Sequence, residues 1–272
     1  MQTHYGPAPY PSANKDEETK SYWSLAPTGK LVIFIHGYKG QPTKKWSQFD
    51  RLLLTDARFQ GADCIFYGYD GLQTELIASS SIFLDFLNRI CSNPAAAANA
   101  VLPVELQRPA KFRYQSVLVV AHSLGAVITK QALVFAHRQK MPWLRMVRMA
   151  LFAPAHMGAE VARLAAEAAA LNPIASLLGL TFRFASPLVD QLNPDKSTVL
   201  PALRKEIEDA RKKGGNPALS ASKVFIATRE NIVKNDPFPY DPVPQAIDGT
   251  HTSICKPDST MHRAFAEIGD LL

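Results

Sequence analysis

A chain of 272 residues with 47% hydrophobic and 20% charged side chains can bury a substantial core and is neither disordered nor membrane-like in composition. Its net charge of +6 is spread along the sequence and is densest at Arg211-Lys212-Lys213-Gly214-Gly215. No nucleic-acid motif accompanies that run, so no nucleic-acid partner is expected, while peripheral contact with an anionic membrane surface stays open. Cys64, Cys91 and Cys255 are far apart and form no CxxC pair, which argues against a disulfide framework or a zinc site and fits a reducing compartment.

Residues 1–20 hold Pro7, Pro9, Pro11 and the Lys15–Lys20 charge cluster but no apolar core of a secretory signal. With no run of roughly 18 apolar residues, a cytoplasmic address is expected. The first 22 residues read as a flexible or surface-hugging arm, with order beginning near Tyr22 and a single domain over 23–272. Leu31-Val32-Ile33-Phe34-Ile35 is a continuous apolar run, as in a parallel strand buried on both faces, and it ends at His36-Gly37-Tyr38. A helix is expected over about 44–57, then a short strand Cys64–Tyr67, then a helix over 74–91 with Leu76, Ile77, Phe83, Leu84, Leu87 and Ile90 at helical spacing.

Residues 92–115 show no clear periodicity and precede a strand at Ser116–Val120, a helix-compatible run from Ala126 to Arg138, and a strand at Val147–Ala153. Residues 159–220 interrupt the alternation: an Ala-rich helix over 160–171, a mostly apolar stretch over 174–184, and a charged amphipathic helix over 201–213. This insertion reads either as core packing or as a mobile cap. A strand at Val224–Ala227 and a final helix over 259–272 close the chain. Repeated strand–helix units predict a doubly wound, mostly parallel sheet with helices on both faces, whose ligands sit outside the carboxyl ends of the strands.

The run Ala121-His122-Ser123-Leu124-Gly125 places a serine between small residues, after a strand and before a helix, the context that lifts a nucleophile out of a sheet. The five-residue pattern alone is weak, since roughly 0.2 copies are expected by chance in a chain this long. Its partners carry the inference. Acyl transfer by serine needs a base, an acid that holds the base, and N–H donors for the oxyanion. His251 is the base candidate, on a loop after the last recognisable strand and before the final helix, with His156 a distant second. Glu230, just past the Val224–Ala227 strand, is the acid candidate, with Asp236 and Asp241 as competitors. The N–H groups of Leu124 and Tyr38 are the expected oxyanion donors.

These pieces, together with Phe66-Tyr67-Gly68-Tyr69-Asp70, Ala153-Pro154-Ala155-His156-Met157-Gly158 and His251-Thr252-Ser253-Ile254-Cys255-Lys256-Pro257, resemble the α/β-hydrolase superfamily. The likeness is to its intracellular serine esterase and lipase-like branch, which includes GPI inositol-deacylase-like proteins. The resemblance runs from about Lys30 onward, with 159–220 matching poorly. It implies an α/β-hydrolase fold with a helical cap-like insertion and hydrolysis of a small-molecule or lipid acyl ester by Ser123, His251 and Glu230. His36, Gly37, His122, Met157, Leu177, Leu178 and Phe182 are expected against the substrate. Neither a metal nor a cofactor is indicated, since no HExxH, P-loop or strand-coupled GxGxxG pattern occurs. A thioesterase or amidase would use the same apparatus, and a catalytically silent module for signalling or protein interaction is the alternative of a different class.

Overall fold

The computed structural model describes residues 6–10, 19–38, 43–69, 74–160, 191–234 and 236–272, the first of these runs through its backbone. The apolar runs form the middle of one sheet. Its strands are β1 (Gly6–Tyr10), β2 (Thr19–Trp23), β3 (Lys30–Ile35), β4 (Ala62–Tyr67), β5 (Ser116–His122), β6 (Val147–Phe152), β7 (Lys223–Arg229) and β8 (Gln245–Thr250). Their spatial order is β1-β2-β4-β3-β5-β6-β7-β8. From β4 to β8 every pairing is parallel, and β2 joins β4 antiparallel. β3 has β4 on one side and β5 on the other, with Val32 opposite both Cys64 and Leu118. The winding therefore reverses at β3, which puts the switch point of the sheet at the carboxyl ends of β3 and β5.

Alternation along the strands directs side chains to two helical layers. On one face Phe34 stacks on Phe66 at 4.5 Å and meets Phe49 of α1 (Phe49–Thr55) at 4.8 Å; Phe49 in turn meets Phe265 of the last helix, Arg263–Gly269, at 4.9 Å. On the other face Tyr67 packs on Phe83 and Phe86 of α2 (Leu76–Ser92), each at 4.8 Å. Past α3 (Pro94–Asn99), α4 (Leu124–Arg138) packs against α2 and against α5 (Val199–Lys212), so helices cover both faces as the strand pattern predicts. The last helix is α6.

Four sequence expectations are corrected. Thr19–Trp23 is a strand with Thr19, Ser21 and Trp23 buried, so order in the sheet begins before Tyr22; its polar spelling hid it. The helix expected over 44–57 is divided into a short 3-10 turn, Lys44–Trp46, and α1, because Ser47 takes a positive φ of 54° that interrupts helical backbone. The final helix is confined to Arg263–Gly269. A strand, β8, lies directly before His251 where a loop was expected. Of the insertion, α5 buries Leu200, Leu203 and Ile207 as an amphipathic helix should, whereas the expected helix over 160–171 and apolar stretch over 174–184 lie outside the described residues, save for Glu160.

The aperiodic excursion over 92–115 buries Ala98, Leu102 and Tyr114 in the core and is also held by polar contacts. Asn99 exchanges two hydrogen bonds with the backbone of Arg108, and the Arg108 guanidinium reaches the buried Asp63 carboxylate at 2.8 Å. Asp63 also accepts from the Ser24 amide and the Tyr114 hydroxyl, each at 2.8 Å. Removing one member of such a pair strands the other charge in a dry interior. Asp63→Ala is expected to lower stability by about 3–5 kcal/mol, whereas Glu206→Ala, which releases the exposed Arg138, should cost under about 1 kcal/mol. Urea unfolding of both variants checks the contrast, and equal losses would contradict it.

Candidate active site

β5 delivers its chain into Ser123, whose φ of 53° and ψ of −117° turn the backbone sharply out of the sheet. α4 starts at the next residue, Leu124. A conformation this rare for a residue with a side chain persists only when its surroundings over-determine it. Here the Ser123 amide donates to the Phe152 carbonyl at 2.9 Å, and the Ser123 carbonyl accepts from Ala126 and Ala155. Two glycines allow the close approach. A Cβ on Gly125 would lie 2.5 Å from the His36 carbonyl oxygen, and one on Gly37 would lie 2.9 Å from the Ser123 Cβ. The loop after β3 therefore rests directly on the serine.

Two further loops bring the partners. Leaving β8, His251 sets Nε2 at 3.0 Å from Ser123 Oγ. Its Nδ1 lies 3.0 and 3.1 Å from the two oxygens of Glu230, which follows β7. A carboxylate can only accept, so Nδ1 carries the proton and Nε2 presents its lone pair to the serine hydroxyl. Glu230 is itself held, because its Oε1 accepts from the amides of Ile232 at 2.9 Å and Val233 at 3.2 Å. Burial opposes its charge, yet the hydrogen bond to His251 and these two amides outweigh burial and keep the carboxyl below its usual range. Ser123 and the side chains of His251 and Glu230 are each 2% exposed or less.

The competing acids lie elsewhere. Asp236 is exposed. Asp241 forms a buried ion pair with Lys130 of α4 at 2.9 Å and accepts from the Ala221 amide. His156, the alternative base, stacks on Phe238 at 4.4 Å with Nδ1 3.9 Å from Asp241, so it belongs to that buried cluster.

The residues expected against the substrate divide. Gly37 touches Ser123 as described, and Met157 lies partly buried in the turn after β6 whose Ala155 amide bonds Ser123. His36 and His122 are buried and turned toward backbone: His36 Nδ1 lies 2.8 Å from the Gly37 carbonyl, and His122 Nε2 lies 2.8 Å from the His251 carbonyl. Both rings support the site from behind. Leu177, Leu178 and Phe182 lie outside the described residues. Leu124 heads α4, where an amide has no helical acceptor, and Tyr38 follows Gly37 in the loop that rests on Ser123.

Sequence reading did not find the part taken by Tyr69. Its ring stacks on His36 at 4.4 Å and its hydroxyl donates to the His36 carbonyl at 2.8 Å, fixing the loop over the serine. The signal was an aromatic residue just past β4, at the same end of the sheet. Among the described residues no group of three His, Cys, Asp or Glu side chains is arranged to hold a metal.

No family model matches the chain, and no curated protein matches it in sequence. Solved structures match it in fold. The mature lipase BlEst2 of Bacillus licheniformis aligns over 97% of this chain and 98% of its own, at 14% identity and a TM-score of 0.56. The fold is that of the α/β-hydrolases. The peroxisomal α/β-hydrolase Lpx1 of Saccharomyces cerevisiae aligns over 98% of this chain and 88% of its own at 13% identity and a TM-score of 0.53. Phospholipase PlaB of Legionella pneumophila aligns over 89% of this chain but 59% of its own, at 12% identity and a TM-score of 0.61. None of the three is described as a GPI inositol deacylase, the branch the motifs resemble.

Three buried histidine rings, two of them behind Ser123 and one in the Asp241 cluster, are neutral. Burial holds His36, His122 and His156 below the ordinary imidazole value of 6.5, His36 down to about 4. In the unfolded chain each titrates normally, so below about pH 6.5 the unfolded state binds protons that the native state refuses, and stability falls as pH falls. Each contributes a slope of up to about 1.4 kcal/mol per pH unit. Denaturation midpoints are expected to drop steadily from pH 6.5 to 5; a flat profile across that window would contradict neutral burial.

Proposed function

We propose that the chain is a serine hydrolase that cleaves a carboxylic ester through an acyl-enzyme on Ser123. The observation that carries this reading is the continuous relay from Glu230 through His251 to Ser123, with contacts of 3.0 and 3.0 Å. As Ser123 Oγ attacks the carbonyl carbon, its proton passes to His251 Nε2, and Glu230 stabilises the imidazolium through the Nδ1–H bond. The N–H groups of Leu124 and Tyr38 receive the developing oxyanion. His251 then protonates the departing alcohol, and water, deprotonated by the same nitrogen, releases the acid.

The solved neighbours named as lipase and phospholipase support an acyl ester with a hydrophobic part as substrate. The three buried cysteines, widely spaced and without a CxxC pair, support the reducing, cytoplasmic address expected from the sequence. Thioesters and amides would meet the same apparatus. A catalytically silent interaction module is the less favoured reading, because a module without chemistry has no need of a buried, hydrogen-bonded Ser–His–Glu array.

A fluorophosphonate probe separates the two readings. Folded wild type is expected to label and Ser123→Ala not to; a folded wild type that stays unlabelled rules out the hydrolase. Glu230→Gln is expected to reduce kcat on the order of 10,000-fold, with Asp236→Asn unchanged. The reverse pattern would move the acid to Asp236.

A further inference from the structure

We infer that His122, the residue before the nucleophile, is a positioning residue for the base: its Nε2–H donates to the His251 carbonyl and ties the turn after β8 to the end of β5. The inference rests on the serine-hydrolase reading. Both ring nitrogens of His251 are engaged, one with Ser123 and one with Glu230, so its position along the relay depends on how its backbone is held. The structure supplies that hold across 129 residues of sequence, at 2.8 Å.

The direction of the bond follows from chemistry. A carbonyl oxygen only accepts, so His122 carries its proton on Nε2 and leaves Nδ1 as a lone pair. Among the described residues that Nδ1 has no hydrogen-bond partner, and it faces Gly37, where a Cβ would lie 2.8 Å away. The ring is held edge-on by Trp46 at 6.5 Å and lies 4.8 Å from the His251 ring. It is thus clamped between the loop after β3 and the base. Burial, with Lys45 and His251 adding to it, keeps the ring neutral, so it orients the base without placing a second positive charge beside the imidazolium.

Glutamine and methionine have side chains of nearly equal length, and only glutamine can donate. His122→Met is expected to lower kcat on the order of 10- to 100-fold by leaving a buried carbonyl unsatisfied. KM for a p-nitrophenyl ester should stay within about twofold and the acid limb of the pH–rate profile should move. His122→Gln is expected to restore most of kcat and the wild-type profile. The proposal is overturned if His122→Met matches wild type in kcat and pH dependence, or if both variants fall equally, which would assign the loss to packing. The bond is read without turnover from nitrogen-15 shifts of the His122 ring. A ring protonated on Nε2 supports the assignment, and one protonated on Nδ1 overturns it. Wild type that neither labels with fluorophosphonate nor turns over, while the ring is protonated on Nε2, defeats the hydrolase reading and the positioning role with it, leaving only a structural hydrogen bond.

Discussion

α4 begins one residue after β5 ends, and this is possible only because the helix can press its first turn against the backbone of β3. Gly125 makes the contact. Any side chain there would meet the carbonyl oxygens of Ile35 and His36 at 2.7 and 2.5 Å, closer than a real Cβ approaches. The tight junction forces Ser123 into its positive φ and projects its hydroxyl beyond the carboxyl ends of the strands. It also brings the loop after β3 onto the serine, so that the proposed nucleophile and the proposed oxyanion donors are set by one backbone contact. Elsewhere in the fold, helices and strands pack through side chains that can adjust; here two backbones meet, and there is nothing flexible to give way.

Around that junction the protein handles its buried polar groups in two ways. At the site His36 and His122 are neutral and hydrogen-bonded to backbone, His36 to Gly37 and His122 to His251. Away from it, charges are retained in pairs. Arg108 with Asp63 anchors the excursion before β5, and Lys130 with Asp241 ties α4 to the segment between Glu230 and His251. Lys130 also lies 4.2 Å from the centre of the Phe238 ring, which gives its charge a second partner in the dry interior. Such pairs add little net stability over an apolar core, yet they cannot be half removed. Their geometric effect is clear in the Lys130 pair, which fixes the segment carrying two of the three relay residues relative to the helix that starts at the third.

The central strands were legible because burial on both faces writes itself as unbroken runs such as Leu31–Ile35. The positions of Ser123, Glu230 and His251 were legible because a parallel sheet sends every strand end to the same side. β2 and β8 were not. β2 spells Thr-Lys-Ser-Tyr-Trp, and β8 spells Gln-Ala-Ile-Asp-Gly-Thr, where only Ile247 and Gly249 are buried. β2 alternates as a strand should, but two of its three buried side chains, Thr19 and Ser21, are polar, and β8 at the sheet's edge buries few side chains, so neither carries a hydrophobic period to read. Asp241 could not be separated from Glu230 by sequence, since both follow β7 and only the tertiary position of Lys130 shows which carboxylate is already engaged. The partner of His122 was hidden for the same reason: a contact between residues 129 apart leaves no local pattern.

β8 has a further consequence. Among the described strands it is the outermost on its side and pairs only with β7, with a register irregularity between Ala227 and Arg229. Ser123 thus hangs from the middle of the sheet and His251 from its margin. Margins of a sheet fray at a lower free energy than its centre. Local opening at that edge would part His251 from Ser123 while the middle of the sheet stays folded, so contacts that staple β8 and its turn to the interior bear on the site as well as on the fold.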